Sequence, residues 1–210
     1  MAAYVGLFEI GKPKAGDTVV VSGAAGGIGS LVVQLAKLHG CHVVGIAGGP
    51  EKCRHLKETL GADVALDYRS PSFEKDLTEA TPDYVNVCFD NVGGGILDAV
   101  LDRLAPHARV AACGAISQYN DAQSHGLTNY VNVIMQRATI QGFTVAEYQD
   151  QYEKAAEDIA RWYSEGKIKV QIDIYEGGVQ AAPQALRKVF DGGNKGKLLV
   201  KIGHKPSEQL

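Results

Sequence analysis

The chain has 210 residues, 45% of them apolar and 21% charged, with a net charge of −3 and no basic run. That length suits one large domain, or one domain and part of another, and the interspersed charges argue against nucleic acid and anionic membrane as partners. No apolar stretch is long enough to cross a bilayer and no signal-peptide pattern is present.

Residues 18–22 form a β-branched apolar run ended by glycines, the pattern of a strand buried on both faces. Over 27–39 the spacing predicts a helix with Ile28, Leu31, Val32, Leu35 and Leu38 on one stripe, stopped by Gly40. Strands are expected at 42–47, 63–66, 84–89, 109–113 and 138–143, and helices at 51–60, 96–104 and 148–164, with a long loop running to Tyr130. Alternating strands and helices in two sets of three predict the α/β doubly wound parallel sheet of the Rossmann type, in the order 3-2-1-4-5-6. After Gly166 the style changes. A strand over 168–174, a helix over 180–190 and a closing strand over 197–202 do not extend the repeat, and the polar tail HKPSEQL is expected to fray.

The stretch GDTVVVSGAAGGIGSLVVQLAK reads as strand, glycine turn and helix, with Gly23, Gly26 and Gly29 spaced G-x-x-G-x-x-G. Gly26 and Gly27 let the backbone approach a pyrophosphate, Gly29 lets the helix pack on the strand, and the helix start at Ile28 offers free N–H groups. An NAD site wants a carboxylate at the tip of the second strand, yet that strand ends in Ala47-Gly48-Gly49-Pro50. Gly48 leaves room for an extra phosphate, Lys52 and Arg54 bring positive charge, and Glu51 is free to cap the helix, so the cofactor reads as NADP. A solvated helix face is the plainer account of Lys52 and Arg54; the empty acidic slot decides against it.

Ligands of doubly wound sheets sit beyond the C-terminal strand ends. Tyr68 follows the third strand and Asn91 the fourth, Cys113, Ile116 and Tyr119 follow the fifth, and Phe143 and Val145 the sixth. Each has a structural alternative: Asn91 as a turn former, Tyr119 as loop packing, Phe143 as core. The four cysteines (Cys41, Cys53, Cys88, Cys113) show no metal-ligand spacing and no disulfide framework, so reduced structural cysteines in a cytoplasmic protein are expected, and no metal site. Ser22 lacks a G-x-S-x-G elbow, and the scattered histidines include His125 in the long loop, which reads as solvated.

The motifs AAYVGLFEIGKPKAGDTVVVSGAAGGIGS, AGGPEKC, FDNVGGGILD, CGAISQYN and NKGKLLVKI run from end to end. On them the chain resembles the zinc-independent medium-chain dehydrogenase/reductases, in the leukotriene B4 12-hydroxydehydrogenase, prostaglandin reductase and alkenal double-bond reductase branch. The resemblance implies NADPH-dependent reduction of the Cα=Cβ bond of enones and enals, an α,β-unsaturated carbonyl substrate and no metal. By position it implies Lys52 at the 2′-phosphate, Tyr68 against the adenosine, and Asn91 with Cys113 to Ile116 along the ribose and nicotinamide. Tyr119 would stand at the substrate carbonyl, with Phe143, Val145 and Asn194 completing the groove. Hydride delivery to the β-carbon leaves an enolate oxygen that needs a donor, and a phenol with an ordinary pKa near ~10 stays protonated to serve.

Family members carry a GroES-like catalytic domain ahead of the point where this chain starts, and Ala2 stands where they usually have threonine. Residues 1–166 are therefore expected to form the NADP-binding domain, and 167–210 the remnant that rejoins the catalytic domain. Apolar Tyr4, Leu7, Phe8, Ile168, Val170 and Ile172 are expected to lie uncovered and, with the sixth strand's edge, to favour a homodimer. The alternatives are a non-catalytic NADP-binding module or truncated reductase and, less favoured, a quinone reductase.

Overall fold

The computed structural model describes residues 1–120 and 126–203; His125 and the HKPSEQL tail lie outside the described residues. The β-branched runs form the central strands β1 (Thr18–Val21), β2 (His42–Ala47), β3 (Val64–Asp67), β4 (Val85–Asp90), β5 (Leu104–Ala112) and β6 (Thr139–Gly142). They pair in parallel in the order β3-β2-β1-β4-β5-β6, as the alternation predicts. Side chains alternate across the sheet: Val19 and Val21 of β1 enter one buried cluster and Val20 the other. Each such buried Val, Leu or Phe contributes roughly 1.5–3 kcal/mol, which anchors the middle of the sheet where the strand order reverses.

One face is covered by α1 (Ala2–Val5), α2 (Gly29–Leu38) and α3 (Pro50–Glu58). The other is covered by α4 (Phe73–Ala80) and α5 (Gly94–Leu101), with α6 (Val131–Met135) beyond. α4 is absent from the sequence-based prediction; its only buried positions are Phe73 and Leu77, one turn apart, too sparse a stripe to stand out in FEKDLTEA. The buried face of α2 is Val32, Val33, Leu35 and Ala36, while Ile28 and Leu38 of the expected stripe are exposed. The predicted helix over 148–164 is irregular as far as Gln151, with a break at Tyr148, before α7 (Tyr152–Ser164) begins.

Several residues expected to lie uncovered do not. Tyr4 and Leu7 are buried. The Tyr4 hydroxyl donates to Asp158 on α7 at 2.7 Å and its ring stacks 6.4 Å from Trp162. Burial and then the Asp158 carboxylate push this phenol up to about 12. Phe8 is half-buried and Ile168 buried, whereas Val170 and Ile172 are exposed as expected.

After α7 the chain forms a small parallel pair, β7 (Ile172–Tyr175) and β8 (Lys197–Val200), joined by α8 (Ala182–Phe190). Hydrogen bonds from both of its ends fasten this segment to the sheet layer. The Gln34 amide both donates to and accepts from the backbone of Lys169, at 3.0 and 2.7 Å, and the Gly196 N–H donates to the Ala25 carbonyl at 2.7 Å.

Candidate functional site

The C-terminal strand ends build one continuous edge. β1 runs into the turn 23–28, where Gly23 takes a left-handed φ of +58° and the Gly26 N–H returns to the Gly23 carbonyl at 3.0 Å. Gly29 then opens α2 against that turn: a Cβ there would lie 2.7 Å from Ala24 Cα and against the Gly23 carbonyl. No side chain caps α2; the Ser30 and Leu31 N–H groups turn back to the Gly26 and Ile28 carbonyls at 2.9 and 3.0 Å, and the positive end of the helix faces the glycine turn, where it favours an anion. A Cβ on Gly27 would sit 3.2 Å from Lys197 Cα, because the start of β8 passes over the turn.

At the tip of β2, Gly48 is closely overlaid: a Cβ would meet the Tyr68 ring and hydroxyl at 2.9 Å and Arg69 Nε at 3.0 Å. Lys52 reaches the same place from α3 and donates to the Gly192 carbonyl at 2.7 Å. Burial, and then the charge of Arg69, lower its pKa from the ordinary lysine value. A half-buried ammonium thus stands near a guanidinium, and Asp173 and Glu51 only partly offset the two charges, an arrangement that a dianionic phosphate would relieve. Asp67, at the end of β3, turns Oδ1 to the Gly49 N–H (2.9 Å) and the Arg69 N–H (3.0 Å), so its carboxylate is taken up by backbone.

Two corrections and one placement follow at this end. Arg54 is exposed, and the second cation at Gly48 is Arg69, the last residue of the LDYR stretch that supplies Tyr68. Glu51 makes no cap; it pairs with Lys195 at 3.3 Å. Asn194 is also committed, its side-chain amide donating to the Gly196 carbonyl at 2.9 Å within the segment that crosses the glycine turn.

At the other end β1, β4 and β5 are sewn together. Asn91 donates its backbone N–H to Ser22 Oγ (2.8 Å) and its side-chain amide to the Ser22 carbonyl (2.7 Å). The Cys113 and Gly114 N–H groups donate to the Asp90 carbonyl, and that of Ile116 to the Asn91 carbonyl at 3.4 Å. Burial, and then Asp90, raise the Cys113 thiol, which keeps it protonated and a poor nucleophile. Tyr119 is 62% exposed and its hydroxyl oxygen accepts the Ala115 N–H at 2.9 Å, an arrangement that leaves the phenolic proton to donate.

The structure brings Gly23, Gly26, Gly27, Ile28, Asn91, Cys113, Ile116 and Tyr119 to adjoining turns, and Gly48, Lys52 and Tyr68 to a second cluster. Phe143 is half-buried beyond the sixth strand, its ring 6.4 Å from that of Phe89 and close against Gly6, so one side of it packs on the core. Val145 is half-buried just beyond it. Sequence reasoning missed Asp90, which adjoins Asn91 in FDNVGG and is buried, and dismissed Ser22, whose hydroxyl links them.

The family model described as zinc-binding dehydrogenase matches residues 27–161. The chain is 42% identical over 203 residues to (+)-pulegone reductase of Mentha piperita, covering 96% of this chain and 59% of that protein. It is 38% identical over 206 residues to the NADPH-dependent curcumin reductase of Escherichia coli, covering 95% and 59%. It superposes on CurA from Vibrio vulnificus in complex with NADPH with a TM-score of 0.93 at 38% identity, covering 97% of this chain and 62% of that one. The chain thus spans about three fifths of the length of the curated relatives it matches. Among the described residues no group of three or more His, Cys, Asp or Glu could hold a metal ion, so no zinc ligand set is at hand.

Proposed function

The chain belongs to the zinc-binding dehydrogenase family, and from that premise we propose that it is the NADPH-holding part of a reductase of the carbon–carbon double bond of enones and enals. The observation that carries the reading is the cluster beside Gly48, where the Tyr68 hydroxyl and Arg69 Nε stand within 3.0 Å of a Cβ position on that glycine and Lys52, close enough to feel the charge of Arg69, donates to the Gly192 carbonyl. The residues fit the cofactor at both ends: the uncapped α2 and its glycines suit a pyrophosphate, and Lys52 with Arg69 suits a 2′-phosphate. Relatives named for NADPH-dependent reduction support the same choice.

When bound, NADPH supplies a hydride. The protein's own tasks are to hold the dinucleotide along Gly23–Ile28, Asn91, Cys113 and Ile116, and to meet charge on the substrate carbonyl oxygen. Tyr119 is the donor for that oxygen, its phenol already oriented by the Ala115 N–H. No step is routed through a metal. In this reading residues 1–166 are the cofactor domain and 167–210 the segment that meets the catalytic domain. The exposed β6 edge, flanked by Tyr130, Val131 and Ile134, supports a homodimer. Unpaired cysteines, two of them buried, support a reducing compartment such as the cytoplasm.

Titration with NADPH and NADH, followed by NADPH consumption with a simple enone, tests the proposal. NADPH should bind more tightly, and Lys52→Ala should narrow the preference tenfold or more, since a charge-assisted contact contributes ~1.5–3 kcal/mol. Equal affinity for the two cofactors would overturn the assignment. The high exposure of Tyr119 favours one second reading, a binding module without turnover, and NADPH binding with no enone reduction would establish it.

A further inference from the structure

The end of β4 carries a carboxylate that the proposed chemistry does not use. Asp90 is 1% exposed, and the groups that hold it are neutral donors. Oδ1 accepts the Ser22 hydroxyl at 2.6 Å and the Val92 and Gly93 N–H groups at 3.2 Å each, and Oδ2 accepts the Gly93 N–H at 3.0 Å. Burial raises this carboxyl above the ordinary carboxylate value, and the hydrogen bonds from Ser22, Gly93 and Val92 offset part of that rise.

The bonds form a chain that ends on the site. Ser22, held by Asp90, accepts the Asn91 N–H, and the Asn91 side chain donates to the Ser22 carbonyl. Gly93 sits at φ +68°, ψ −158°, a conformation that reverses the chain just before α5 and that the two Asp90 contacts hold in place. The Asp90 carbonyl meanwhile receives the Cys113 and Gly114 N–H groups of the neighbouring strand end at 2.8 and 3.2 Å. One residue therefore ties together three strand ends on either side of the point where the strand order reverses.

We propose that Asp90 is a positioning residue: its carboxylate, through Ser22 and the Val92–Gly93 N–H groups, sets the orientation of Asn91 at the nicotinamide end of the dinucleotide site without touching the ligand. The proposal rests on the reading of that edge as a dinucleotide site and assigns it a buried support. In Asp90→Asn the side-chain NH2 must face backbone donors, the Val92 and Gly93 N–H groups at the Oδ1 place or the Gly93 N–H at the Oδ2 place, so the turn has to rearrange.

The test compares the unmutated chain, Asp90→Asn and the milder Ser22→Ala by calorimetric titration with NADPH and with adenosine 2′,5′-bisphosphate, the fragment that lacks the nicotinamide half. Losing hydrogen bonds to a charged group should weaken NADPH binding by about tenfold or more in Asp90→Asn. The bisphosphate should stay within about twofold, and Ser22→Ala should move in the same direction by less. In the unliganded chain, hydrogen exchange at Asn91, Gly93, Cys113 and Gly114 should speed up in Asp90→Asn while β2 and β3 keep their protection. Unchanged NADPH affinity and unchanged exchange would overturn the proposal. So would equal weakening of both ligands with protection lost across the sheet, which marks a general structural role. An unmutated chain that binds neither ligand would instead remove the dinucleotide reading, and the exchange comparison would still decide what Asp90 holds.

Discussion

Gly29→Ala sets two effects of opposite sign against each other at the start of α2. Helix propensity alone favours alanine by about 1 kcal/mol. The added Cβ, however, would meet Ala24 Cα at 2.7 Å and the Gly23 carbonyl, both backbone atoms of a turn that is itself hydrogen-bonded to Ile46. Neither can swing aside as a side-chain tip would, so the cost belongs in the upper part of the roughly 1–3 kcal/mol range for overpacking. The steric term wins, and the variant should lose about 1–2 kcal/mol. For a chain of this size that lowers Tm by about 2–8 °C. Gly95→Ala is the matched control: it lies in the exposed first turn of α5, with nothing within 4 Å of the added Cβ. It should gain about 0.4–1 kcal/mol, raising Tm by about 1–4 °C. Thermal melts by circular dichroism read both. A Gly29→Ala chain as stable as the unmutated one would show that the turn yields freely, and the account of a close helix–strand approach would fall.

Arg69→Ala should reduce the NADPH-over-NADH preference by about two- to fivefold, less than Lys52→Ala, because the guanidinium is exposed to solvent and screened. Comparative titrations check it, and a larger loss than at Lys52 would reverse the two roles. If the protein turns over an enone, Tyr119→Phe should slow the rate roughly ten- to a thousandfold with NADPH affinity held, as steady-state kinetics beside a binding titration would read. Burial raises the Asp63 carboxyl, but hydrogen bonds from Lys37 and the Val43 N–H outweigh it and hold it below the usual value. Its contribution is therefore complete above the unfolded carboxylate range and lost as pH falls through the lower folded value. Asp63→Asn should cost about 1 kcal/mol at neutral pH, and the gap in Tm should close below about pH 4.

Strand order and the glycine turn were legible because each is written in neighbouring residues: the TVVV and HVVGIA runs, and three glycines at fixed spacing before an apolar helix. Phe143 was less so, since both its roles begin at the same strand end and only the position of Phe89 turns the ring inward. Tyr4 and Leu7 read as uncovered because the helix that covers them, α7, lies far along the chain; the Tyr4–Asp158 bond joins residues 154 apart.

The same separation explains why Ser22 and Asp90 are hard to read from the sequence as partners while Lys52 and Tyr68 stand out as candidates. Lys52 and Tyr68 announce themselves by charge and by place at a strand end. Ser22 and Asp90 look ordinary apart, and their meaning appears only when strands 68 residues distant in sequence become neighbours. The terminal segment shows this most plainly. It changes style after Gly166 and reads as a piece of another domain, yet Lys52 is bonded to Gly192 and Ala25 to Gly196, across separations of 140 residues and more. The ammonium assigned to the phosphate is held by the α8–β8 connection, and the glycine turn is crossed by residues 194–197. Whatever else that segment meets, one wall of the proposed dinucleotide edge is made from it. The affinity of the edge for a phosphate therefore depends on how those residues hold Lys52 as well as on the glycines that first drew attention to it.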